Sequence, residues 1–160
     1  MRRLVVLVTL LLAVARAACA QQNVAPSAPG AHLASEAVVK RLAGADLRAL
    51  LVEAGYAIDS IASDTLVLVR LDDVRLAVAL TNDGQLVHAQ AAFIETKATL
   101  RTMNDWNRDN LLSRAYLDDD GDPTIETEID IEGGVTGARL RDWLRTTRQV
   151  IAEFMAKLPR

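Results

Sequence analysis

Three apolar segments joined by very short connections constrain the fold of this chain more than any other feature of its sequence. Residues 65–71, Val74–Thr81 and residues 86–94 have the length and composition of strands. Asp72-Asp73 separates the first two segments and Asn82-Asp83-Gly84 separates the last two, and both sequences favour tight turns. Strands joined so closely pair antiparallel, because a parallel pair needs a long crossover. The sequence therefore predicts a three-stranded antiparallel meander.

Apolar residues at helical spacing predict three helices around these strands. The first begins near Gly44 and stops at Gly55, and the second runs from its cap Thr99 to Asn110. The third begins at its cap Thr136 and continues to the end of the chain. In the second helix, the residues expected to face inward are Leu100, Met103 and Trp106.

Two further strands are predicted at residues 112–118 and 124–132, on either side of an acidic turn at residues 119–123. The second strand places isoleucine or threonine at every odd position from 125, which is typical of a half-buried strand. Its wet face carries the carboxylates of Glu126, Glu128, Asp130 and Glu132. The predicted order is α-β-β-β-α-β-β-α, an α+β class in which helices pack on one side of an antiparallel sheet.

The N-terminus has the pattern of a cleavable signal peptide. Arg2 and Arg3 precede an apolar run at residues 4–14, and Ala18 and Ala20 supply small residues at a leader-peptidase site. The apolar run is too short to span a membrane, so we expect cleavage after Ala20 and a periplasmic or secreted protein without a membrane anchor.

Cys19 leaves open the alternative of a lipidated N-terminus, which Arg16 disfavours because lipidation signals need a small or aliphatic run there. With residues 1–20 removed, we interpret residues 21–43, rich in alanine, proline and serine, as a flexible tether. Residues 44–160 then form a single domain that contains no cysteine and is held together by packing.

Cleavage also makes the chain more acidic. With Arg2, Arg3 and Arg16 removed, 15 basic side chains remain against 21 acidic ones, a net charge of −6. Nucleic acids and anionic membrane surfaces need a basic partner, so neither is expected to bind.

Several short motifs follow one another from the second helix to the third. They are Met103-Asn104-Asp105-Trp106-Asn107-Arg108, Arg114-Ala115-Tyr116-Leu117-Asp118, Gly121-Asp122-Pro123 and Gly133-Gly134-Val135. In content and order they resemble the YbjN-domain family, described as bacterial sensory-transduction regulators, over residues 46–154. The resemblance implies a fold like that of small secretion chaperones, which work as dimers, and it assigns no catalytic residues. A leader and a tether depart from the usual family pattern.

The motif residues are interpreted as structural. They are Asn104, Trp106, Asn107, Arg114, Gly121, Asp122, Gly133 and Gly134. We expect Trp106 to pack against the sheet and the two asparagines to bond backbone where the helix meets the next strand.

The sequence contains few residues in patterns typical of catalysis. His32 and His88 are the only histidines, and no nucleophile elbow or glycine-rich phosphate loop accompanies them. We therefore predict a protein that is not an enzyme and has no cofactor; the alternative is a periplasmic enzyme that uses His88 and nearby carboxylates. Residues 118–122 are read as an acidic turn rather than a calcium site, because the glycine and glutamate positions of a calcium loop are not matched.

Two charged surfaces are candidates for binding an unknown protein or peptide. One is the acidic strand, and the other is a basic stripe on the terminal helix formed by Arg141, Arg145 and Arg148. The alternative is that both are solvated, or neutralise one another within the domain or across a homodimer.

Overall fold

The computed structural model describes residues 36–159. The predicted leader and most of the predicted tether lie outside the described residues. The helices are α1 (Gly44–Glu53), α2 (Leu100–Asp109) and α3 (Gly137–Lys157). The strands are β1 (Val38–Val39), β2 (Ala57–Ser63), β3 (Leu66–Leu71), β4 (Val74–Thr81), β5 (Leu86–Ala92), β6 (Arg114–Leu117), β7 (Pro123–Asp130) and β8 (Val135–Thr136).

Six of these strands form one antiparallel sheet in the order β2-β3-β4-β5-β7-β6. The small strands β1 and β8 form a separate antiparallel pair. The α+β class and the antiparallel sheet are therefore as predicted.

Only one face of the large sheet is covered by the helices. Along β3, β4 and β5, alternate residues are buried in a core shared with all three helices, among them Val67, Val78 and Val87, and β7 contributes Ile125 and Ile129 to the same core. The alternation places the intervening residues on the opposite face, which we call the open face. Its members include Leu66, Leu68, Ala77, Ala79, His88, Gln90, Arg114, Tyr116, Glu126, Glu128 and Asp130.

The predicted helix caps are confirmed. The Thr99 hydroxyl accepts a hydrogen bond from the Thr102 N–H at 3.4 Å, and the Thr136 hydroxyl accepts one from the Arg139 N–H at 3.2 Å. Within α2, Met103 and Trp106 are buried as predicted, but Leu100 is 67% exposed and that prediction was wrong. Leu100 is the first helical residue, one turn before the part of α2 that meets the core.

The structure adds one strand to the predicted meander. β2 pairs with β3 at the edge of the sheet, and its register shifts between Ile58 and Ser60 and again between Ile61 and Ser63. Six of its seven residues are exposed. These irregularities remove the apolar alternation that identifies a strand in sequence.

The end of the predicted tether is part of the domain. Val39 and Leu42 are buried in the core, and the Leu42 N–H donates to the Gly84 carbonyl at 2.9 Å. β1 pairs with β8 directly before α3. The ordered domain therefore begins before Gly44, because two isolated apolar residues are enough to dock this segment.

No helix among residues 36–159 is long and apolar enough to cross a membrane.

Candidate functional site

The acidic strand predicted from the sequence is β7, and Glu126, Glu128 and Asp130 lie on the open face of the sheet, whereas the predicted fourth member, Glu132, lies in the turn after the strand ends. β7 lies between β5 and the short edge strand β6. Glu126 is opposite Gln90 on one side and Arg114 on the other. Because the sheet is antiparallel, the side chains of these three strands meet on the same surface.

Glu126 differs from the other carboxylates because it is only 7% exposed. His88 Nε2 lies 3.0 Å from its Oε2, and Arg114 forms an ion pair with its Oε1. The Tyr116 hydroxyl donates to Oε2 at 3.3 Å and accepts from Gln90 Nε2 at 3.0 Å. These five side chains form a connected polar network across three strands, which we call the Glu126 network.

Contacts within the Glu126 network shift the pKa values of Glu126, Arg114 and Tyr116. Burial alone raises the pKa of the Glu126 carboxyl, but the hydrogen bonds and charges of His88 and Arg114 outweigh burial and hold this pKa below its ordinary value. The hydrogen bond between Arg114 and Glu126 raises the pKa of Arg114. Burial, helped by the Glu126 charge, raises the pKa of Tyr116 to about 12. Glu126 is therefore ionised and paired at neutral pH, and Tyr116 stays a hydrogen-bond donor.

Three carboxylates beyond the network remain exposed. Glu128, Asp130 and Glu132 form no ion pair with any residue in the 36–159 range. Asp130 accepts a hydrogen bond from the Glu132 N–H at 2.9 Å, which fixes the end of the strand. This end of the sheet is therefore acidic.

The three arginines of the predicted basic stripe each contact other residues of the helices or of the loop after α1. Arg148 lies over the Tyr56 ring, 5.2 Å from its centre, and donates to the Ala54 carbonyl at the end of α1 at 3.1 Å. Arg145 pairs with Asp142, and Arg141 lies 3.5 Å from Glu53. Arg148 thus ties α3 to α1 rather than presenting a free charge.

The family-motif residues join α2 to the sheet. The Asn107 side chain donates to the Ala115 carbonyl at 2.9 Å and accepts from the Ala115 N–H at 2.8 Å. Trp106 Nε1 donates to the Ser113 hydroxyl at 3.1 Å, and the indole packs edge-on against Phe154. Asn104 is exposed and makes no such bond.

The acidic turn is closed by hydrogen bonds from its backbone to the side chain of Asp118. Asp118 Oδ1 accepts from the N–H groups of Asp120 and Asp122, at 3.1 and 2.9 Å. Gly121 has a φ of +84°, which favours glycine. Burial, with the charges of Asp118 and Asp120, raises the pKa of Asp122. Among residues 36–159, no group of three or more histidine, cysteine or carboxylate side chains is arranged to hold a metal ion.

His88 has one hydrogen-bond partner within the described part of the chain, which is Glu126. Its side chain lines neither the cavity of about 290 Å³ bordered by Trp143 nor the cavity of about 600 Å³ bordered by Phe93. The enzymatic alternative, in which His88 acts with a carboxylate, stays a prediction. Gln90 and Tyr116 could not be predicted from the sequence as members of the Glu126 network, because only the strand register brings these side chains together.

One protein family and two solved structures are similar to this chain. Residues 44–159 match the model of the YbjN family, "Putative bacterial sensory transduction regulator". The crystal structure of YbjN, a "putative transcription regulator" from E. coli, is similar with a TM-score of 0.54 and 19% identity, covering 70% of this chain and 91% of that chain. The Yersinia pestis type III secretion chaperone SycH, solved with a fragment of YscM2, has a TM-score of 0.47 and 20% identity, covering 66% of this chain and 94% of that chain. No curated protein sequence matches this chain.

Proposed function

The chain belongs to the YbjN family, and on that premise we propose that it is an exported regulatory, chaperone-like module that binds a protein or peptide partner on the open face and has no enzymatic activity. The family description as sensory-transduction regulators supports a role exercised through binding. The partner, in this proposal, is basic.

The observation that carries the proposal is a six-stranded sheet whose helices lie on one face only. Sheets usually bury both faces or keep the second face polar, and here the second face is mixed. Leu66, Leu68, Ala77 and Ala79 form an apolar centre on β3 and β4. An apolar centre beside a charged rim is the usual composition of a protein-binding surface.

Charge determines the kind of partner. The exposed carboxylates of Glu128 and Asp130 on the open face, with Glu132 just beyond the end of β7, concentrate negative charge at this end of the sheet, and a basic segment would compensate it. Glu126 contributes no free charge to this surface, because Arg114 and His88 already pair with it. Its network instead holds the side chains of three strands in fixed positions.

Export is the second part of the proposal and is supported by the leader pattern at residues 1–20. A periplasmic location would present the acidic surface to exported proteins. Association of two copies, which the resemblance implies, is also a prediction, and light scattering on the purified protein tests it.

The test is affinity capture from a periplasmic extract, with captured proteins identified by mass spectrometry. The double variant E128K/E132K reverses the charge of Glu128 on the open face and of the exposed Glu132 just beyond the end of β7. The matched control, D119K/D120K, changes the net charge equally on the acidic turn. We expect a basic protein to be retained by the wild type and the control and lost by E128K/E132K. Equal capture by all three would contradict binding through the acidic rim.

A further inference from the structure

One edge of β7 is only half paired. β6 pairs with β7 from Pro123 to Glu126, and the ladder ends there. Residues 127–130 continue to pair with β5 on the other side. Within residues 36–159, no strand lies along their second edge. An unpaired strand edge is a template for an added strand.

The direction of the backbone groups follows from the observed hydrogen bonds. The Pro123 carbonyl accepts from Phe93 and the Ile131 N–H donates to Gln85, so odd-numbered residues of this segment bond toward β5. Alternate residues of a strand direct their N–H and C=O groups to opposite edges. The N–H and C=O groups of Glu128 and Asp130 therefore point to the free edge.

A cavity of about 290 Å³ lies beside this edge, between α3 and the residues that precede β6. It is lined by Glu128 of β7, by Leu112 and Ser113, and by Trp143 and Thr147 of α3. Trp143 is 6% exposed, and its Nε1 is buried and has no hydrogen-bond partner among residues 36–159. A buried donor without a partner is costly, and a ligand that supplies an acceptor there recovers that cost.

We propose that an extended basic segment of the partner adds to the free edge of β7 as an extra strand. A carbonyl group in the cavity, from this segment, accepts the Trp143 Nε1 hydrogen bond. The inference rests on the proposed function and deepens it by naming the form of the partner. About four residues, or roughly 13 Å of extended chain, would cover the free edge. Basic side chains of this strand would meet Glu128 and Asp130 on the open face, and the alternate side chains would enter the cavity.

A second copy of this chain fits the free edge poorly. Two β7 edges paired across a two-fold axis would place Glu128 and Asp130 of one copy against the same carboxylates of the other. Like charges directly opposite in a sheet are destabilising.

The test uses the protein expressed from its full-length coding sequence and a fluorescein-labelled hexapeptide that alternates lysine and valine. A peptide of the same sequence with every backbone amide N-methylated keeps the charge and cannot pair as a strand. Binding is measured by fluorescence anisotropy, and amide hydrogen exchange of Glu128 and Asp130 is followed by NMR. We expect the first peptide alone to bind and to slow exchange at these two amides.

Three variants separate the contribution of hydrogen bonding to peptide affinity from the contribution of charge. W143F keeps an aromatic ring but removes the Nε1 donor, and we expect peptide affinity to fall about tenfold when it is measured well below the unfolding midpoint, which the smaller side chain will lower. E128P removes the N–H that faces the free edge and leaves the ladder to β5, so binding should be lost. The matched control E128Q keeps that N–H and should lose only the part of the affinity that is due to charge.

Each result decides between the two proposals. Equal binding of both peptides, or unchanged affinity in W143F and E128P, would overturn strand addition and leave docking by charge on the open face intact. Binding of neither peptide would also overturn strand addition of a basic segment. The capture experiment with E128K/E132K decides the proposed function independently.

Discussion

Glu126 is an ionised side chain that is almost fully buried, so its contribution to stability depends on pH. Folding lowers the pKa of this carboxyl because the bonds to His88 and Arg114 outweigh burial. A carboxyl of this kind stabilises the fold above its unfolded pKa, near 4.5, and loses the effect as the pH falls through its folded pKa. We expect E126Q to lower the free energy of unfolding by about 2 kcal/mol at pH 7, and the difference from wild type to shrink below about pH 4.5.

Urea unfolding of the two proteins between pH 7 and pH 3 measures this difference. E128Q is the control, because Glu128 is exposed and forms no ion pair in the described part of the chain; its effect should stay within about 0.5 kcal/mol. A difference for E126Q that does not change with pH would contradict the assignment.

Gly134 is a motif residue whose structural role can be separated from that of its neighbour. It has a φ of +96°, and a Cβ at this position would lie 2.9 Å from Val38 Cγ1 of β1. We expect G134A to destabilise the protein by about 1–2 kcal/mol. A Cβ on Gly133 meets nothing within 4 Å, so G133A is the control and should change stability by about 0.5 kcal/mol or less. Thermal unfolding of both variants tests this, and equal midpoints would show that β1 does not constrain the turn.

The pairing of α2 with β6 depends on one asparagine. Asn107 makes two hydrogen bonds to the backbone of Ala115, and these replace the ladder bonds that an edge strand lacks on its outer side. We expect N107A to lower the free energy of unfolding by about 1–2 kcal/mol and to speed amide exchange at Ala115. N104A, which removes an exposed side chain, is the matched control. Wild-type exchange at Ala115 in N107A would contradict this role.

The regular elements could be predicted from the sequence because their signals are local. β4 was predicted at its observed bounds, and the caps Thr99 and Thr136 act through residues three positions away. β2 was missed because an irregular exposed edge strand has no apolar period. The half-paired edge of β7 and the Glu126 network depend on register between strands distant in sequence, which alternation along one strand does not specify.

The candidate surface was predicted in part for the same reason. Alternation along β7 placed four carboxylates on one face, and the sheet places Glu126, Glu128 and Asp130 on its open face. The alternation along β7 could not indicate that Glu126 would be buried by Arg114 from a neighbouring strand. The unpartnered Nε1 of Trp143 had no signal in the sequence, because a tryptophan at helical spacing predicts only burial.

At the scale of the whole molecule, the core of the domain is separate in sequence from the predicted export signal. The core of the domain extends from Val39 to Leu158 and contains no cysteine. Its stability therefore comes from packing and hydrogen bonds and should be insensitive to the redox state of the compartment. Thermal unfolding midpoints with and without a reducing agent should agree, and a lower midpoint under reducing conditions would contradict a core held by packing alone.

Processing of the N-terminus is the prediction on which the proposed location depends. Cleavage after Ala20 would leave β1 and the buried Leu42 intact, so the domain should fold equally well after the leader is removed. We expect the protein from a periplasmic fraction to begin at Gln21 by intact-mass spectrometry, and to lack any lipid mass. Replacing Ala18 and Ala20 with bulky residues should leave the uncleaved protein with the membrane fraction, because leader peptidases need small side chains at both positions. C19S is the control: unchanged cleavage would agree with a soluble exported protein, whereas loss of membrane attachment in C19S alone would establish a lipoprotein instead.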